Sequence, residues 1–403
     1  MLINSLHIGN ILSFKDTKLD LQPLNVLIGP NGSGKSNLID VIALLQALPV
    51  DLPGYFRRSG SIGDWVRNAE RNSGSTFSLP EVTAMLDNYG SPDTPLEYEL
   101  SLGVRNDRES YHVIAERLET PIEAPDGKRA FSFFKMQNGQ GRIYSQSSPF
   151  LSDAIRTELT PENIGRGRSV LSEIRDPINY PTLTLTARRL ASIRIYRDWQ
   201  VGPTNPTRRS QPTDGPVDFL EEDFSNLALV VNDLRERQGL GALMDEYLER
   251  FYESYQSLHT PVHDSSIRIA VREAGTTTPL PASRLSDGTI RFIALLAILC
   301  HPEPPPLICI EEPEIAMHPD SVDLVAELLR KAAERTQIIV TTHSPWLIGR
   351  FSAEPEAVVV CDIDATEGTW FHRLSHKEVE DWFDGDRDLG DIWMSGAIKG
   401  VRW

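Results

Sequence analysis

The chain has 403 residues, 40% of them apolar, enough for the cores of two or three lobes and incompatible with wholesale disorder. A formal charge of −17 excludes a general polyanion binder, although the segment from Asp153 to Arg209 is arginine-rich. Three scattered cysteines (Cys300, Cys309, Cys361) exclude a disulfide framework or a zinc site, and no apolar run approaches the ~18 residues of a membrane span, so a cytoplasmic protein without a membrane partner is expected.

Residues 3 to 28 alternate apolar and polar positions, which predicts a hairpin leading into a buried strand, Asn25 to Ile28. A glycine-rich loop and a helix from Lys35 to Leu48 follow, and Pro49 stops that helix. Residues 50 to 150 break into short alternating runs (Leu96 to Leu102, Tyr111 to Leu118, Ala130 to Met136), the pattern of an antiparallel lobe. Residues 150 to 215 are rich in Arg and Pro and are expected to be irregular. Between 218 and 258 the apolar spacing (Leu227, Val230, Val231, Leu234; Leu243, Tyr247, Phe251, Tyr255) predicts helices forming a lid or partner surface.

From Ile267 onward the pattern becomes alternating α/β: a helix Ile290 to Cys300, a strand Leu307 to Ile310, a helix Asp320 to Glu334, a strand Ile338 to Thr341 and a last hairpin, Val358 to Asp362 with Trp370 to Leu374. The expected organisation is an N-terminal half (1–150), an Arg-rich and helical insert (151–265) and a C-terminal half with an acidic tail (266–403).

The loop "GPNGSGKS", Gly29 to Ser36, fits G-x-x-x-x-G-K-[ST] between a strand and a helix. Its glycines let backbone N–H groups converge on phosphates, and the following helix points its positive end at the same anion. Lys35 would reach the β and γ phosphates, and Ser36 would ligate Mg²⁺. In "LICIEEPE", four apolar residues form a doubly buried strand, and Glu311 and Glu312 stand at its C-terminal end, where open α/β sheets bind ligands. One carboxylate can hold Mg²⁺ and the other can polarise water. Glu314 reads as structural. His343, in "VTTHSP", ends the next strand at the same sheet edge and could donate to the γ-phosphate or the attacking water. In "LSDGT", Ser286 caps a helix and Gly288 permits close approach, which makes a second anion site expected to serve the nucleotide of another copy.

In this order, "LNVLIGPNGSGKSNLID", "LSDGT", "LICIEEPE", "MHPD" and "TTHSP" resemble the Walker A, signature, Walker B, D-loop and H-loop of ATP-binding-cassette ATPases of the RecF/SMC/OLD type, often grouped with AAA ATPases. The resemblance is strong over residues 1 to 48 and 283 to 362 and weak between. It implies an α/β P-loop NTPase head of the cassette type, with a mixed central sheet, an antiparallel β lobe and a helical insert.

It also implies ATP and Mg²⁺ as ligands. Asn31, Gly32, Ser33, Gly34, Lys35, Ser36 and Asn37 would bind nucleotide, and Ser36 and Glu311 the metal. Glu312 would be the base, with Lys35 and His343 completing the catalytic set. Ser286, Asp287 and Gly288 would contact the opposing nucleotide. His318 and Asp320 would flank the dimer seam, Ser13 to Lys15 would lie near the adenine, and Gln200 is the candidate Q-loop glutamine. Glu311 stands where many relatives carry Asp, and the chain is too short for a long coiled-coil arm.

The implied activity is ATP hydrolysis by a homodimer, or a larger oligomer, that gates DNA or an effector protein (a nuclease or toxin) in DNA repair or anti-phage defence. The alternatives are an OLD-like nuclease using Asp362 and Asp364, and a nucleotide-sensing scaffold with little turnover. Arg188, Arg189, Arg208 and Arg209 form the candidate DNA patch, and His372 with His376 a remote metal pair.

Overall fold

The computed structural model describes residues 1–67, 79–89, 94–104, 110–121, 131–145, 156–160, 164–165, 167–199, 202, 204–380, 382 and 387–398. A mixed sheet of fourteen strands spans the described residues. Its parallel part runs in the order Arg194–Tyr196, Leu307–Glu311, Gln337–Thr341, Leu24–Ile28 and Val358–Asp364. Antiparallel strands then continue from Gly368–Arg373 through Phe14–Asp20 and Ile3–Ile11 to Glu81–Leu86, Leu96–Val104, Tyr111–Glu119, Ser132–Gln137, Gln140–Tyr144 and Arg156–Leu159. The expected antiparallel strands therefore extend the same sheet, through the pairing of Ile3–Ile11 with Glu81–Leu86. Ala130, the expected start of one of them, lies outside the described residues.

All five residues of Leu24–Ile28 are buried because both faces of the strand are covered. Strand side chains alternate between faces, and the packing follows that rule. Val26, Ile28, Ile308, Ile310, Ile338 and Val340 join one core cluster, which contains the helix Asp287–Leu299. Leu27, Leu307, Cys309 and Ile339 join the other, which contains the helix Lys35–Ala47. The loop-borne helix and the "LSDGT" helix therefore cover opposite faces of one parallel sheet.

Two expectations are corrected. The segment 150–215, expected to be irregular, contains a helix Pro181–Ala191, with Pro at its first turn and Leu183, Ala187 and Leu190 buried. Three threonines and two arginines interleave those positions and hide the helical period. Tyr255, expected on a helix, lies in the strand Tyr255–His259, because the helix Gly241–Phe251 ends where Tyr252 turns extended and the chain pairs with Ala270–Glu273. The preceding helix, Leu227–Glu236, is built as expected, but its Leu227, Val230, Val231 and Leu234 are fully buried in the cluster under the "LSDGT" helix. The expected lid thus spends its apolar face on the core.

A charged residue is sealed within the antiparallel part. The Glu116 carboxylate accepts from Tyr98 Oη (2.9 Å), Ser169 Oγ (2.6 Å) and Val170 N (2.8 Å), fastening the short helix Val170–Glu173 onto the sheet. Burial pushes its pKa up to about 6 against those bonds. A carboxyl raised in the folded state binds its proton more tightly there than in the unfolded chain, so this group favours folding below its unfolded pKa. That contribution fades as the pH climbs to about 6. Wild type should gain on the order of 2 kcal/mol relative to Glu116→Gln between pH 7 and pH 4.5. Parallel denaturation midpoints of the two proteins across that range would refute the assignment.

Candidate nucleotide site

The loop after Leu24–Ile28 is shaped by two close approaches. A Cβ on Gly29 would lie 2.0 Å from the Cys361 carbonyl, and one on Gly34, at φ +106°, would lie 2.4 Å from Thr369 Oγ1. Thr369 Oγ1 donates to the Ser33 carbonyl (2.8 Å) and lies at hydrogen-bond distance (2.7 Å) from Ser13 Oγ, which accepts from Asn37 Nδ2 (2.7 Å). The C-terminal hairpin, found where expected, therefore clamps the loop from one side. Gly34 precedes the helix, whose first backbone N–H groups have no side-chain cap. That is the arrangement that binds an anion.

Lys35 is buried and donates to the carbonyls of Gly29 (2.8 Å) and Pro30 (3.0 Å), folding the loop around its own ammonium. Burial lowers its pKa, and Glu312 and Glu311 oppose that shift. Ser33 Oγ is buried without a hydrogen-bond partner. Asn31, Gly32 and Ser36 are exposed at the mouth.

Glu311 ends its strand, and Glu312 follows at φ +47° with its N–H bonded to the Thr341 carbonyl (2.9 Å). A non-glycine residue in the left-handed region stores strain of about 1–3 kcal/mol, and such residues gather at functional sites. His343, at the end of the adjacent strand, brings Nε2 to 3.9 Å from Glu312 Oε1. Burial and the Lys35 charge lower its pKa, so the imidazole is neutral at neutral pH. Glu314 is held by a hydrogen bond from Thr342 Oγ1, which in turn accepts from Ser344 N (2.9 Å). That pair fixes the loop carrying His343, and burial pushes Glu314 up to about 7.

The residues expected at one sheet edge thus meet there: Lys35, Ser36, Glu311, Glu312 and His343. Ser286, Asp287 and Gly288 open the helix on the other face. Ser286 Oγ caps that helix by accepting from Thr289 N (3.0 Å), and Asp287 is paired with Arg208. A Cβ on Gly288 would lie 2.5 Å from the Ala316 carbonyl, so its first close neighbour is the chain's own turn just before "MHPD". Ser286 and Asp287 remain exposed. His318 and Asp320, also exposed, pair with each other at 3.3 Å.

Other expectations fare differently. Gln200 lies outside the described residues. Arg208 donates to the carbonyls of Ala282 (2.9 Å) and Leu285 (2.7 Å), and Arg189 to those of Asp87 (3.3 Å) and Met1 (3.2 Å). Two of the four arginines of the candidate DNA patch thus donate to carbonyls of their own chain, at separate places: Arg208 at part-buried ones and Arg189 at the N-terminal edge, where its bond to Met1 is exposed. His372 and His376 do not converge, as each takes a different carboxylate, Glu378 or Glu356. Asp364 accepts from Thr366 and Glu367 N–H groups within its own turn.

Sequence reasoning missed several residues at this edge. Asp40, one turn beyond Ser36, is paired with Arg197, whose Nε stands 3.4 Å from Glu311 Oε1. Trp199 Nε1 donates to the Glu311 carbonyl (2.7 Å), and Arg291 of the "LSDGT" helix donates to the carbonyls of Trp199 (2.8 Å) and Ile315 (3.2 Å). The i, i+4 spacing of Ser36 and Asp40 was the only local signal.

Residues 24–349 match the family model described as "AAA domain, putative AbiEii toxin, Type IV TA system". No curated protein matches the chain. The fold is similar to a crystal structure of the Smc head bound to the C-winged helix domain of ScpA, with TM-score 0.54, 14% identity, and coverage of 94% of this chain and 100% of that one. It is similar as well to the Smc head domain with an extended coiled coil bound to the C-terminal domain of ScpA, from Pyrococcus furiosus, with TM-score 0.54, 14% identity, and coverage of 94% and 98%. At that identity the likeness is one of fold: a P-loop NTPase head, with no long coiled coil among the described residues. Among the described residues no helix is long and apolar enough to cross a membrane.

Proposed function

The chain belongs to the AAA-domain family described as putative AbiEii toxin of type IV toxin–antitoxin systems, and from that premise we propose that it is an Mg²⁺-dependent ATP hydrolase whose working sites form between two copies. The observation that carries this reading is the placement of two anion-binding turns. Lys35 and the Glu311–Glu312–His343 edge belong to one helix and strand set, while the exposed Ser286 turn opens a helix on the opposite face of the same sheet.

Backbone N–H groups of Gly32 to Ser36 cradle the β and γ phosphates, and Lys35 leaves its two carbonyl partners to meet them. Ser33 Oγ and Glu311 Oε1, both buried without hydrogen-bond partners, fit a site completed by ligand. Ser36 and Glu311 would hold Mg²⁺, which when bound would offset phosphate charge. Glu312 accepts the proton of the attacking water, and the neutral His343 beside it donates to that water or to the γ-phosphate. Ser286, Asp287 and Gly288 of a second copy close over the nucleotide, with the helix end they begin directed at the phosphates.

The family description favours a defence or toxin–antitoxin setting with a protein effector over DNA repair. Arg208, nearly covered and bonded to the Ala282 and Leu285 carbonyls, is taken out of any DNA-contacting surface. The specific ATPase rate should fall on dilution and saturate with protein concentration, in parallel with ATP-dependent dimers in light scattering. A rate per protomer independent of concentration down to the nanomolar range, by a monomer, would overturn the two-copy site.

A further inference from the structure

Arg197 is the residue at this edge that the proposed mechanism leaves without a role. It follows the strand Arg194–Tyr196, whose last registered pair with the neighbouring parallel strand is Tyr196–Ile310, so Arg197 comes opposite Glu311 at the same end of the sheet. Its guanidinium pairs with Asp40 of the Lys35–Ala47 helix and stands 3.4 Å from Glu311 Oε1. Glu311 Oε1 takes no hydrogen bond, and Arg197 Nε and one terminal nitrogen are likewise buried and unbonded. The contact with Glu311 is therefore one of charge at close range without the fork geometry that locks an arginine to a carboxylate. A cavity of about 590 Å³, lined by Asp40, Tyr55, Arg58, Arg197, Asp198 and Glu222, opens beside the guanidinium and gives it room to move.

We propose that Arg197 is the internal counter-ion of the metal pole. It neutralises Asp40 and Glu311 while no nucleotide is bound, and its positive charge keeps free Mg²⁺ out until phosphates arrive. This rests on the reading of Glu311 as the metal-holding carboxylate. The longer reach of Glu, where many cassette ATPases carry Asp, serves the same device by bringing the carboxylate to the arginine across the strand spacing. The loose geometry suits a charge that must yield: an arginine fully bonded to Glu311 would compete with the metal throughout the cycle. Trp199 Nε1 holds the Glu311 main chain in place, so Arg197 can shift without moving the strand end. Arg197 acts through Glu311 and is a positioning residue.

The test uses the nucleotide-free full chain, with thermal unfolding followed during titration with MgCl₂ against KCl of matched ionic strength. Wild type should show no Mg²⁺-specific stabilisation until ATP is added. Arg197→Ala should be stabilised by Mg²⁺ alone, with a half-effect at least about tenfold lower in concentration than any seen for wild type, since a unit charge at this distance is worth more than one decade in affinity. Arg197→Gln keeps much of the side-chain length and substitutes for the alanine variant if that one fails to fold. Arg197→Lys retains the charge and should behave as wild type, and adding Glu311→Gln to Arg197→Ala should erase the Mg²⁺ response. The proposal is overturned if the neutral variants respond to Mg²⁺ no more than wild type, if lysine behaves like alanine, or if the response survives Glu311→Gln. Because no nucleotide turnover is read, these results stand apart from failure of the ATPase reading, which Glu312→Gln decides separately.

Discussion

Glu312→Gln should lower ATP turnover by about 10²–10⁴-fold while leaving ATP binding intact, and the variant should persist as a nucleotide-loaded dimer in size-exclusion chromatography with ATP and Mg²⁺. The reasoning begins with the backbone. Glu312 occupies φ +47°, where the chain leaves its strand with the amide still bonded to Thr341, and the carboxylate lies 3.9 Å from His343 Nε2. Glutamine keeps the same length and the same turn, so neither the fold nor the phosphate loop has reason to change. What it removes is the capacity to accept a proton from water. The immediate partners do not substitute: Glu311 is engaged with Arg197, and Glu314 is tied to Thr342 and faces the loop behind His343. Single-turnover rates of wild type and variant with equal amplitudes and equal rate constants would remove Glu312 from the mechanism.

Lys35→Ala should weaken ATP binding by at least about a hundredfold, because hydrogen bonds from an ammonium to a charged acceptor contribute about 1.5–3 kcal/mol each and Lys35 would make more than one. The stability of the nucleotide-free chain should move much less. Lys35 surrenders two bonds to Gly29 and Pro30, but its removal also relieves the burial of a charge in a pocket that depresses its pKa. This split separates a ligand-binding lysine from a merely structural one. Titration with a fluorescent ATP analogue reads the affinity, and thermal unfolding without nucleotide reads the stability. Wild-type affinity in the variant, or a collapse of the nucleotide-free fold with no separate loss of binding, would contradict the assignment.

Much of this site could be read from the chain because its parts are local. The loop Gly29 to Ser36 needs glycine where Cys361 and Thr369 crowd the backbone, and the spacing to Lys35 is contained in eight residues. The strands Leu24–Ile28, Leu307–Glu311 and Gln337–Thr341 announce themselves as largely apolar runs that lead into the phosphate loop, the acidic pair and His343. A parallel sheet covered on both faces permits little else, and such runs share a C-terminal edge. Ser286 as a helix cap follows from the same near-neighbour rules and is found as expected, with Thr289 N–H as its partner.

Other features depended on which elements became neighbours. The helix Pro181–Ala191 was hidden because its buried side includes threonines, which carry no helical signal until a surface exists for them to cover. The arginines between Asp153 and Arg209 looked like one positive segment, yet Arg208 serves carbonyls near the "LSDGT" helix, Arg189 serves the N-terminal edge, and Arg197 serves Asp40 and Glu311. The role of a charged side chain is set by whatever lies within a few ångströms, since attraction falls with distance and screening. Glu116 makes the same point in the antiparallel strands, where a carboxylate is sealed in and bonded to Tyr98, Ser169 and Val170. The sequence by itself determined the phosphate loop, the acidic strand end and the helix caps, because each is written in consecutive residues and their backbone preferences. Only the tertiary structure decided that the two anion-binding turns lie on opposite faces of one sheet and that an arginine 114 positions from Glu311 stands beside it, because strand order joins residues whose separation along the chain carries no local signal.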